Sequence, residues 1–139
     1  MEKLAYKVSN LQKAFDAFQN AVEWRQLRFE SASTIEQDTC TASVIKHFEL
    51  CYEMLWKTLK VYLLERFGTE TSGSKTVFRA CLEQKIITEL ELAQLMRLVD
   101  LRNMTTHVYD ENFANEVCAE IIEHVPAIES LISNIQKGS

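Results

Sequence analysis

An all-α, up-and-down bundle is the fold the sequence predicts, and three observations point to it. Only 3 Gly and 1 Pro occur in 139 residues, whereas sheets with tight turns need such residues at their corners. Apolar side chains make up 47% of the chain, enough to fill one core and far from a disordered composition. Those apolar residues recur at alternating steps of three and four, the period of an amphipathic helix. The expected architecture is four to five helices in a single domain spanning residues 1–139, with no internal repeat.

The elements follow in order. Leu4, Val8, Leu11, Phe15, Phe18 and Val22 form the first stripe, flanked by Lys7, Lys13, Asp16 and Glu23, and predict a helix to about Glu30. Ser31-Ala32-Ser33-Thr34 interrupts it, with Ser33 or Thr34 placed to cap the next helix. That second helix is the longest. Ile45, Phe48, Tyr52, Leu55, Leu59 and Tyr62 make its stripe, and Cys51, Trp56 and Leu63 widen it to suit a central position. Glu53 and Lys57 form an i,i+4 pair on it, and Gly68 after Phe67 suits a left-handed terminal cap.

Thr69 to Lys75 is expected to be a flexible loop, followed by a short helix from Lys75 to Gln84 with Val77, Ala80 and Cys81 inward. Thr88-Glu89-Leu90-Glu91 reads as a capping box opening a fourth helix that buries Leu92, Leu95, Met96, Val99 and Leu101. The period lapses between Asn103 and Asp110. Asp110 can cap a final helix carrying Phe113, Val117, Ile121, Val125, Ile128, Ile132 and Ile135. Pro126 falls inside this stripe and predicts a kink, because it lacks an N–H and its ring meets the carbonyl of Ile122.

Cys40, Cys51, Cys81 and Cys118 lie 11, 30 and 37 positions apart, with no Cys-x-x-Cys knuckle and three scattered histidines. No metal finger can be drawn from them, and neither a metal nor a cofactor is expected. His47 and Cys51 share a helix face at i,i+4. They read as core-edge residues, with a pair of metal ligands as the alternative. No signal-type apolar run opens the chain, and no stretch approaches about 18 uncharged residues, so a cytoplasmic protein with reduced thiols and no membrane span is expected. Glu49 and Glu53, beside Lys46 and Lys57, read as a solvated ion-pair face. Trp24 and Trp56 read as core or contact residues rather than stacking platforms for bases.

One segment concentrates reactive side chains: Asp100-Leu101-Arg102-Asn103-Met104-Thr105-Thr106-His107-Val108-Tyr109-Asp110. Arg102 stands near a helix end and His107 follows five positions later in the turn, so one pocket can receive both. A permanently charged fork beside an imidazole suits phosphodiester cleavage by an internal 2′-hydroxyl, the imidazole moving protons and the guanidinium stabilising phosphate charge. By spacing alone, a capping or salt-bridge role is the simpler reading. Thr105 and Thr106 read as satisfying backbone groups at the turn.

The segment Arg102 to Tyr109 resembles the Arg-x4-His-x-Tyr motif of HEPN-domain proteins in their HepT-like form, including the Asn directly after the Arg. Phe48 to Lys60 resembles the second-helix signature of the nucleotidyltransferase substrate-binding proteins, and Ser74–Ala80 and Tyr109-Asp110-Glu111 fit the same family. The similarity spans roughly residues 4–135. The resemblance implies a homodimeric helical bundle whose two Arg-His motifs share a cleft, and a complex with a minimal nucleotidyltransferase as a toxin–antitoxin pair. It implies a metal-independent ribonuclease with Arg102 and His107 as catalytic pair, Asn103 as supporting polar group, and Tyr109 as the tyrosine to which the partner adds AMP. The alternative within the family is a non-catalytic subunit that binds or presents substrate to the transferase. This chain is not itself a nucleotidyltransferase, since Gly73-Ser74 is not followed by an Asp-x-Asp pair.

The net charge of −5 excludes a uniformly basic nucleic-acid binder. Residues 110–139 hold 6 acidic and 1 basic side chains, whereas residues 1–109 hold 14 of each. The acidity therefore belongs to the last helix, and a small shared cleft around Arg102 is compatible with RNA as substrate.

Overall fold

The computed structural model describes residues 2–108 and 110–138. Among them are six α-helices: α1 (Glu2–Arg28), α2 (Thr34–Phe67), α3 (Ser74–Glu83), α4 (Glu89–Met104), α5 (Glu111–Glu123) and α6 (Val125–Gly138). A 3₁₀ turn, Thr105–His107, continues α4. No described residue lies in a strand.

The helix starts follow the expected chemistry. The Ser33 hydroxyl accepts from the Glu36 N–H, and the Glu36 carboxylate accepts from the Ser33 N–H, closing a capping box at α2. Thr88 and Glu91 repeat the device at α4. At α3, the Gly73 N–H instead donates to the Thr76 hydroxyl at 3.0 Å. Gly68 ends α2 with φ of 65°, the left-handed conformation that its lack of a Cβ permits.

The central helix is α2, which packs against α1, α3, α4, α5 and α6. Leu11, Phe18, Val44, Phe48, Cys51, Leu55, Leu59, Leu63, Phe78, Leu98, Leu101, Cys118 and Ile121 are fully buried within one hydrophobic cluster. Leu92 and Met96, expected inward, are half-buried, while Phe78 and Leu98 take inward positions that the stripes did not include.

Two expectations change. The final helix is broken in two at His124 rather than kinked, which raises the helix count to six. Pro126 then stands at the second residue of α6, where its missing N–H is one that a helix start leaves unbonded anyway. The short helix begins at Ser74, so the connection before it is shorter than expected. The chain there is tied back by Ser74, whose hydroxyl accepts from Tyr52 on α2 at 2.8 Å.

A candidate catalytic junction between α4 and α5

Arg102 occupies the last turn of α4, Asn103 follows it on the exposed side, and His107 ends the 3₁₀ turn, also exposed. The chain leaves α4 by tightening rather than by a glycine turn. The Thr105 and Thr106 hydroxyls can each donate to the carbonyl three residues back, Arg102 and Asn103, at 2.7 Å. These bonds use carbonyls that a helix end leaves free. Asp110 restarts the chain as cap of α5, its carboxylate accepting from the Asn112 N–H at 3.0 Å. Arg102, Asn103 and His107 are thus brought to one helix junction. Tyr109, the expected modification site, lies outside the described residues.

Arg102 is half-buried and held by α2. Its Nη1 donates to Glu49 Oε2 at 2.9 Å and to the Thr105 hydroxyl at 3.2 Å. The same Thr105 hydroxyl lies 2.8 Å from Glu49 Oε2, so guanidinium, hydroxyl and carboxylate form a closed triangle. Glu53, one turn along α2, stands 3.8 Å from the Arg102 Nε. That Nε is buried and has no hydrogen-bond partner among the described residues. Lys57 and Trp56 claim Glu53 from the other side, at 3.8 Å and 3.0 Å.

Here the reading of Glu49 and Glu53 as a solvated face is half right. Glu53 pairs with Lys57 as expected, but Glu49 turns to the motif. Its partner lies 53 positions away, and no local spacing carries that signal. The side chains of Arg102 and Glu49 are 28% and 30% exposed. The pair is therefore shielded more than a surface bridge and still reachable by solvent. Tyr52 lies in the same neighbourhood. Burial raises the pKa of its phenol, with Glu53 adding to the rise and the Ser74 bond and Arg102 opposing it.

A groove of ≈ 350 Å³ runs beside this triangle between α2 and the start of α5. Ile45, Val108 and Ala114 give it apolar walls, and Lys46, Glu49 and Thr105 line the end nearest Arg102. Thr41 and Asn115, which also line it, join Arg25 of α1, with Arg25 Nε donating to the Thr41 hydroxyl and that hydroxyl donating to Asn115 Oδ1, both at 3.1 Å.

The remaining candidates settle into structural places. Cys51 is fully buried and its thiol is pushed up to about 12 by loss of hydration, while the His47 Nδ1 lies 2.7 Å from the Ser43 carbonyl of its own helix. Among the described residues no group of three or more His, Cys, Asp or Glu stands close enough to hold a metal. Trp24 is 52% exposed, with the Arg28 guanidinium 4.0 Å above its ring. His124 turns its Nδ1 to the Glu120 carbonyl at 2.9 Å. No helix of the described residues is long and apolar enough to cross a membrane.

An all-helical bundle with an Arg-x4-His junction between two helices defines the class. The family model described as "Nucleotidyltransferase substrate binding protein like" matches residues 6–137, and the chain belongs to that family. A Haemophilus influenzae protein described as "Probable ribonuclease HepT" is 29% identical over 113 residues, covering 78% of this chain and 76% of its own length. A solved Haemophilus influenzae structure, described as the substrate binding domain of a nucleotidyltransferase, is 25% identical with a TM-score of 0.77, covering 93% of this chain and 98% of the other. The tri-AMPylated Shewanella oneidensis HEPN toxin, solved with its MNT antitoxin, has the same fold, with a TM-score of 0.73 at 19% identity and 96% of each chain covered.

Proposed function

We propose that this protein is a HepT-like, metal-independent ribonuclease toxin, acting as a cytoplasmic homodimer and partnered by a minimal nucleotidyltransferase that silences it by adding AMP to Tyr109. The observation that carries the reading is the placement of Arg102 and His107 at one helix junction, in a chain whose relative is described as a probable ribonuclease. A Shewanella protein of the same fold is described as AMPylated and bound to an antitoxin, which supports the partner and the modification.

The chemistry follows from the side chains. The 2′-oxygen of the ribose attacks the adjacent phosphorus and loses its proton to an imidazole. The bond from phosphorus to the 5′-oxygen breaks, and that oxygen takes a proton from an imidazole. Two facing motifs supply both rings, so one His107 accepts while the partner subunit's His107 donates. Arg102 spreads its charge over the phosphate oxygens as the fifth bond forms. Asn103, exposed beside Arg102, supplies a further polar contact to the backbone of the RNA.

A second reading, a non-catalytic subunit that presents substrate to the transferase, is favoured by one observation: Arg102 already has a carboxylate partner in Glu49. Purified protein incubated with RNA in the presence of EDTA separates the two. The ribonuclease reading expects cleavage in wild type and its loss in Arg102→Ala and His107→Ala, by about 10²-fold or more, with helical content unchanged. Undiminished cleavage by His107→Ala removes that reading. Protein that cleaves no RNA, yet gains mass in units of AMP beside the transferase, establishes the second.

A further inference from the structure

We propose that Glu49 is a positioning residue for the reaction, aiming Arg102 from α2, so that the site is built from two helices rather than from the motif alone. The inference rests on the ribonuclease reading and adds to it a residue outside the Arg-x4-His segment.

The geometry carries it. An arginine near a helix end has several rotatable bonds, and holding it in one pose costs conformational entropy. Thr105, three residues on, meets only one nitrogen of the fork, Nη1, at 3.2 Å. Glu49 reaches that nitrogen at 2.9 Å and also engages the Thr105 hydroxyl at 2.8 Å, closing the triangle from the opposite helix. The buried Nε lacks a hydrogen-bond partner among the described residues, and Glu53, 3.8 Å away, is too far to hold it by a hydrogen bond. The pose of the fork therefore depends on Nη1, which Glu49 and Thr105 hold. A guanidinium fixed in this way meets a phosphate without first reorienting. Glu49 also lines the groove beside the triangle, so a nucleotide whose phosphate meets Arg102 passes close to it.

The consequence is a split between binding and turnover. Removing Glu49 leaves the positive charge of Arg102 in place, and a less neutralised charge attracts RNA no less well. What is lost is the aim of the fork in the transition state, which lowers turnover. Glu49→Ala is expected to lower kcat by about 10- to 100-fold with KM unchanged or lower. Glu49→Gln retains an oxygen acceptor for Nη1 and Thr105 and is expected to recover most of that loss. Thr105→Val, close to isosteric, is expected to lower kcat less than Glu49→Ala. Glu120→Gln, which breaks the Arg97–Glu120 pair elsewhere on the fold, serves as control with kcat unchanged.

The test is steady-state cleavage of a short RNA by the full chain, together with side-chain ¹H–¹⁵N spectra of Arg102. In wild type the Nη protons are expected as separate, slowly exchanging signals, and in Glu49→Ala as one averaged signal. Wild-type cleavage with an unchanged kcat in Glu49→Ala, or unchanged Arg102 signals, overturns the proposal and leaves the ribonuclease reading intact. A wild-type protein that cleaves no RNA overturns both, and so distinguishes the two failures.

Discussion

Glu49 and Glu111 show how much a single carboxylate owes to residues far away in the chain. Glu49 follows the i,i+4 rhythm of a surface ion ladder with Glu53 and Lys57, yet folding sends it to Arg102. Glu111, in the first turn of α5, meets Asp38 near the start of α2. A hydrogen bond to that carboxyl, followed by repulsion from Asp38, raises the pKa of Glu111 from its ordinary value. A group with a raised folded pKa holds its proton more tightly in the native state than in the unfolded one. Its contribution to stability is complete below the unfolded value and is lost as pH rises through the folded value. Glu111→Gln keeps a hydrogen-bonding group there without ionising. The variant is expected to melt higher than wild type at pH 7, with the difference shrinking as the pH falls and Glu111 takes up its proton. Equal melting temperatures at pH 7 would show that the pair is too exposed to matter.

At the scale of elements, helix ends decide where this chain turns, and most of them are local enough to read from the sequence. Ser33 with Glu36, Thr88 with Glu91, Asp110 and Gly68 each act within four positions of themselves. The exit of α3 is different. The Ile86 N–H bonds to the Cys81 carbonyl and the Lys85 N–H to that of Leu82, both at 2.9 Å, which is the double bond of a Schellman ending. The residue that must turn left-handed there is Lys85, with φ of 60°, where a glycine would ordinarily stand. No glycine marks that end, so the sequence ran the helix one residue long, to Gln84. Lys85→Gly is expected to relieve the Cβ strain and stabilise the fold by about 0.5–1 kcal/mol. Thermal unfolding should report this as a rise of about 2–4 °C, and a fall would mean that the freer unfolded chain outweighs the strain. The break at His124 was hidden for a related reason. The apolar stripe continues through it from Ile121 to Ile128, so only Pro126 marked the place, and a proline does not say whether a helix bends or restarts.

For the whole molecule, the bundle was legible because each stripe is local, whereas the site was legible only in its motif. Arg102, Asn103 and His107 lie within one turn and its neighbour, but Glu49 and the α2–α5 groove exist only once distant helices pack. The same limit applies one level up, since a cleft shared by two copies needs the second copy. In the proposed cleft one His107 accepts a proton while the partner subunit's His107 donates one, and mixing tests this. A mixed dimer of wild type and His107→Ala carries a single imidazole and therefore lacks either the acid or the base. After unfolding and refolding together in equal amounts, half the dimers are mixed and a quarter are wholly wild type, so activity near roughly a quarter of that of the same total amount of wild type is expected. If each motif uses only its own chain's imidazole, the mixture retains about half, and the two motifs work independently. With a dimer as the proposed active unit, cleavage per protomer is expected to fall on dilution and the melting temperature to rise with concentration. A specific activity that holds constant on dilution into the range where sedimentation shows monomers would return the whole reaction to a single chain.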